Sequence, residues 1–116
     1  MDKKIKKLWV DALISGEYTQ GQHRLRTNID GNTSFCCLGV LCNIHAQENP
    51  HLAIKQTDNR SYFGQMEFLP VEVTEWARIG DSQLYVIIDG ENVHLAEHND
   101  DGTSFEKIAK AIDEQM

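Results

Sequence analysis

Residues 94–98 read His-Leu-Ala-Glu-His, the H-x-x-E-H spacing that gives some zinc peptidases two imidazole ligands and a carboxylate base on one helical turn. That chemistry requires a helix. Here the residues follow an Asp-Gly turn and run into Asn99-Asp100-Asp101-Gly102, so a strand end and loop are expected, from which His94 and His98 diverge as surface side chains. The three cysteines, Cys36, Cys37 and Cys42, lack C-x-x-C spacing. The first turn of a helix, where Cys36 and Cys37 are expected, is one place that activates a thiol, but free cysteines are more often small core residues. Cys42 with His45 would supply two metal ligands, and no second pair accompanies them. Nucleophile-elbow, phosphate-loop and dinucleotide motifs are absent from the sequence. Neither a catalytic set, a metal nor a cofactor is predicted.

Two polar groups remain. Arg24 and Arg26, flanked by His23, Thr27 and Asn28, offer planar guanidinium forks suited to phosphate or carboxylate. The competing reading is an edge strand charged against aggregation. Asn99, Asp100, Thr103 and Ser104 lie at the entry to a helix, where hydroxyls and free N–H groups can meet a ligand. Turn chemistry alone also explains them, and the two carboxylates there repel an anion unless they meet its hydroxyls or a cation.

The elements that must position these groups follow from periodicity. Ile5, Leu8, Trp9, Ala12 and Leu13 share one face of a helix over residues 2–15, ended by Gly16. Its lysines at 3, 4, 6 and 7 are read as a solvated face. A short strand is expected at 23–27, then a turn cluster at 28–32. A buried central helix is expected over 35–47, with Ser34 as its N-cap. Residues 48–60 read as a long, mobile surface loop, and 62–69 as a strand or irregular apolar segment broken by Gly64. Pro70 opens a short helix that stops before Gly80. Residues 83–88 and 92–96 flank Asp89-Gly90 as a hairpin. Thr103-Ser104-Phe105-Glu106 reads as a capping box for a C-terminal helix with Phe105, Ile108, Ala109 and Ile112 on one face. The expectation is one α+β domain over 1–116: a small, mostly antiparallel sheet, a buried central helix and amphipathic helices at both ends.

Composition sets further bounds. With 116 residues, 41% hydrophobic and 25% charged, the chain can bury one core. No apolar run approaches a bilayer span, and the basic start lacks a signal-like apolar stretch. With an odd number of clustered cysteines, this predicts a cytoplasmic protein. The net charge of −7 is uneven: residues 1–60 carry +2 and residues 61–116 carry −9. A broad nucleic-acid surface is therefore not expected, nor a membrane partner, while a local anion site in the first half is allowed.

Several segments together resemble a group of small bacteriophage- and prophage-encoded proteins of unestablished activity. They are W-x-x-A-L-x-S-G-E-Y at 9–18, Leu25-Arg26-Thr27, F-C-C-L-G-V-L-C at 35–42, L-P-x-E-V-x-x-W-A in outline at 69–77, and L-A-x-x-N-D-x-G-x-S-F-x-x-I in outline at 95–108. They touch about half the chain, in the same order. The sequence departs from the outline at Val71 and at His98, where an apolar residue is usual, which weakens the zinc reading further. The resemblance implies Arg26, Thr27, Asn99, Asp100 and Ser104 as recurring polar positions. It also implies a small non-enzymatic binding protein in the host cytoplasm, sequestering a nucleotide-like host signalling molecule or otherwise countering host defence. The ligand set expected is Arg24, Arg26, Thr27, Asn99, Asp100, Thr103 and Ser104. The alternatives are a small hydrolase of a nucleotide-like substrate, with Asp100, Asp101 or His94 as base and a divalent metal allowed, and an inhibitor that binds a host protein through its acidic surface. Self-association is compatible with each.

Overall fold

The computed structural model describes residues 1–53 and 61–116. The chain runs α1 (Lys3–Ile14), β1 (Arg26–Ile29), β2 (Asn32–Phe35), α2 (Cys37–Glu48), α3 (Pro50–Ala53), α4 (Val71–Ala77), a 3₁₀ turn (Asp81–Leu84), β3 (Tyr85–Ile88), β4 (Glu91–His94), α5 (Leu95–Asp100) and α6 (Phe105–Gln115). The fold is α+β. In place of one sheet, the described residues hold two separate two-stranded antiparallel sheets, β1–β2 and β3–β4.

The end helices form as their patterns dictate. In α1 the Asp2 carboxylate caps the Ile5 N–H, Gly16 follows the last turn at φ 80°, and Ile5, Trp9 and Leu13 face inward. Of its lysines, Lys7 pairs with Asp11 and Lys6 donates to the Asp113 carbonyl. In α6 the cap is Ser104, whose hydroxyl accepts the Lys107 N–H, one residue later than the Thr103 box implied. Phe105, Ile108, Ala109, Ala111 and Ile112 are buried, and α1 packs along α6.

Against α1 packs α2, buried at every position from Cys37 to Cys42 and again at Ile44 and His45. The Trp9 indole N–H donates to the Cys37 carbonyl at 2.9 Å, tying α1 to its first turn. Gly39 is required by contact: a Cβ there would fall on the Leu25 carbonyl, so the helix backbone lies against the chain entering β1. The α2 start differs from expectation. Phe35 ends β2 rather than opening the helix, and the N-cap is Cys36, with no side-chain cap bond of its own.

Three tight turns share one geometry, with positive φ at both central residues: Asp30-Gly31, Phe63-Gly64 and Asp89-Gly90. The first closes β1–β2 and the third β3–β4, in registers Ile29↔Asn32 and Ile88↔Glu91. The second joins Tyr62 to Gln65 by two backbone hydrogen bonds, so the 62–69 segment is an irregular turn rather than a strand. Residues 54–60 of the expected long loop lie outside the described residues; before them, α2 extends to Glu48 and α3 follows. The chain at α4 leaves the helix at Arg78 in the left-handed region (φ 57°), two residues before Gly80.

Candidate functional site

The α5 helix stands in place of the expected strand end and loop, and it decides how the Asn-Asp pair is used. Glu97, His98 and Asn99 lie on this short helix directly after β4, and its C-terminal end points Asn99 into the interior, where it is fully buried. The Asn99 Oδ1 accepts from the Cys37 N–H (3.1 Å) and from Gln20 Nε2 (3.0 Å), while Nδ2 donates to the Gly21 carbonyl (2.7 Å). Asn99 thus supplies from a distance the cap that Cys36 does not give α2. Gln20 Nε2 also donates to the Thr103 carbonyl at 2.7 Å. Asp100 continues the clasp: Oδ1 accepts the His23 N–H at 2.7 Å and Oδ2 lies 3.4 Å from His23 Nδ1.

The loop before β1 and the turn before α6 therefore meet, as the site assignment requires, but much of their polarity is spent on each other. Asn99 holds protein groups and exposes nothing. Thr103 and Ser104 are half-buried, and the Ser104 hydroxyl already caps α6. Arg24 is exposed, with Nη1 3.8 Å from the Met66 sulfur, a weak contact that a better acceptor would replace. Arg26 opens β1, half-buried, and Thr27 follows it, so their side chains leave opposite faces of the strand. Leu25 between the arginines is buried, its N–H donating to the Met66 carbonyl.

The histidines of the zinc-like motif do not converge. His94 is the N-cap of α5, its Nδ1 accepting the Ala96 N–H at 3.0 Å, and burial holds its pKa below the ordinary value against the nearby Asp81 and Glu97. His98 is neither on a loop nor at the surface: it is 3% exposed, and its Nε2 lies 2.9 Å from the Val86 carbonyl. Among the described residues no group of three or more His, Cys, Asp or Glu is placed to hold a metal ion. All three thiols are buried and burial pushes their pKa values up; for Cys36 the Gly39 and Leu38 N–H groups pull the other way without prevailing. They are core residues and poor nucleophiles.

Two features had little signal in the sequence. His45, visible there only as one more position on an apolar stripe, sits among Trp76, Tyr62 and Phe63 with ring centroids 4.9, 5.6 and 5.8 Å away, all edge-to-face. Its Nδ1 is 2.7 Å from the Tyr62 hydroxyl; burial lowers the His45 pKa and raises that of Tyr62 to about 12. The second is a groove of about 250 Å³ between β3 and α6, floored by Ile88 and Ala111 and rimmed by Asp89, Lys107, Lys110 and Glu114. Nothing in the spacing of these residues marks it.

No described helix is long and apolar enough to cross a membrane. Over residues 1–116 the sequence matches the family described as Domain of unknown function (DUF8296), and the chain belongs to that family. No curated protein and no solved structure matches it.

Proposed function

We propose that this chain is a small non-enzymatic binding protein that captures an anionic, nucleotide-like ligand on the face carrying Arg24 and Arg26. The observation that carries the reading is the His23–Asp100 tie. It fixes the residue before Arg24 against the turn leading to α6, with both Asp100 oxygens turned towards His23. In this reading Arg24 and Arg26 grip the ligand and Thr103 and Ser104 offer hydroxyls. Asn99 and Asp100 act through the loop they hold. A binding role also fits the state of the other reactive groups, since the thiols, His94 and His98 are committed to the core and to backbone partners. The resemblance to phage-encoded proteins points to a host molecule in the host cytoplasm, a signalling nucleotide being the chemistry that two guanidinium groups suit.

The test is thermal shift against a nucleotide panel, with and without divalent cations, followed by recovery of the ligand. A nucleotide at a hundred times its Kd stabilises by about 2.7 kcal/mol and is recovered intact. The variant carrying Arg24→Glu and Arg26→Glu keeps its fold and loses the shift. Conversion of the nucleotide would replace this reading with the hydrolase. No shift with any nucleotide would replace it with a protein partner, for which Phe68 and Val71, each 60% exposed, are the apolar contacts to mutate first.

A further inference from the structure

The open edges of the two hairpins are closed in different ways. In a hairpin with a two-residue turn the pair flanking the turn is hydrogen-bonded and every second residue points its N–H and C=O outward. On β2 the outward residues are Thr33 and Phe35, and backbone covers Phe35: its N–H donates to the Thr19 carbonyl and its C=O accepts the Gly21 N–H. On β3 the outward residues are Tyr85, whose N–H donates to the Ser82 carbonyl, and Ile87, which only a side chain covers. Gln115 Oε1 accepts the Ile87 N–H at 2.8 Å and Gln115 Nε2 donates to the Ile87 carbonyl at 2.8 Å. One amide thus reproduces the two bonds that a facing strand residue would make. Gln115 is itself exposed and near the end of α6, so it can swing away at little loss.

We propose that the β3 edge is a self-association surface, on which a second copy of this chain displaces Gln115 and pairs antiparallel, β3 to β3, about a two-fold axis at Ile87. The two Ile87 residues then exchange both backbone bonds, and Tyr85 of each copy faces Asp89 of the other, giving a four-stranded sheet. Tyr85 and Ile87 are 55% and 56% exposed on the outer face, and pairing brings the two Ile87 side chains together. Charge selects the occupant. Residues 61–116 hold three basic residues against twelve acidic ones, yet two of those three, Lys107 and Lys110, rim the groove along this edge with Asp89 and Glu114, Lys107 pairing with Asp89 at 3.0 Å. The rim is therefore neutral and two copies meet there without net repulsion, whereas the rest of that half repels its own image.

Sedimentation equilibrium of the full chain up to ~1 mM, the weak end of specific association, tests this. The expected result is a monomer–dimer equilibrium that Gln115→Ala tightens several-fold, because the monomer loses its plug and the dimer loses nothing. Ile87→Lys, exposed and outside the core, places like charges opposite each other and abolishes the dimer while the circular dichroism spectrum is kept. A wild type and a Gln115→Ala variant that both stay monomeric throughout would overturn the proposal and leave the edge to a foreign strand. A dimer indifferent to Ile87→Lys would overturn it as well. Neither outcome bears on the nucleotide reading, which concerns other residues.

Discussion

The hairpins β1–β2 and β3–β4 have the same architecture: four residues a strand, an Asp-Gly turn, and turn φ values of 52° and 81° in one and 51° and 83° in the other. Their sequences have little else in common. The second carries Tyr-Val-Ile-Ile, buries Val86 in the core and lies on α6. The first reads Arg-Thr-Asn-Ile and Asn-Thr-Ser-Phe, and no residue of either strand is fully buried. It is held from outside: by Leu25 in the core, by the contact of Gly39 with the Leu25 backbone, by residues 19–21 alongside Phe35, and by the Asn99–Asp100 clasp on that segment. One turn chemistry thus serves a hairpin anchored by an apolar residue of its own strand, Val86, and another that exists because the rest of the chain fastens it. The arginines of the proposed site belong to the fastened one.

The largest expected effect comes from Gly39→Ala. In a helix interior that change ordinarily stabilises by about 1 kcal/mol. Here the methyl group meets backbone, so unfolding in urea should show a loss of about 3 kcal/mol, and a gain would break the claim that α2 and the first hairpin are in contact. Next is Asn99→Ala, which strips partners from Cys37 N–H, Gln20 and the Gly21 carbonyl in a buried setting; about 2–3 kcal/mol should be lost in the same assay. The turn glycines sharpen the comparison. Gly31→Ala and Gly90→Ala each place an L side chain at positive φ, at about 1 kcal/mol apiece by differential scanning calorimetry, because the two turns are locally alike.

The smallest effect is in acid and reaches the second hairpin through His94. Burial holds His94 and His45 below their ordinary 6.5, so both favour the neutral form in the fold. The stability this gives is complete above about pH 6.5 and drains as the pH falls towards their folded values, because the unfolded chain takes up protons first. His94→Asn keeps an N-cap that does not titrate, and should flatten the acid limb of melting temperature against pH.

The legible parts were those whose signal is local. The faces of α1 and α6, the burial of α2 and the Asp89-Gly90 hairpin follow from periodicity and turn chemistry. The Asp30-Gly31 turn carries the same hairpin signal, but its flanking strands lack the β-branched apolar run that would confirm it, so β2 read as a helix start. The α5 helix is six residues long and its His98 and Asn99 are polar, so neither propensity nor an apolar stripe announced a buried helix. For the site, the resemblance names Asn99 and Asp100 as ligand contacts, and spacing could not show that their partners lie near residues 20–23 and 37. Gln20 and Gln115, whose amides complete a clasp and a strand edge, belong to a residue type that fits any surface, and only the tertiary structure reveals them.

Hydrogen exchange on Asn99→Ala tests most directly whether the first hairpin is held from a distance. The account predicts lost protection at the amides of Gly21, Phe35 and Cys37, with the β3–β4 amides as slow as in the wild type. Equal loss in both hairpins, or no loss at Phe35 and Cys37, would contradict it.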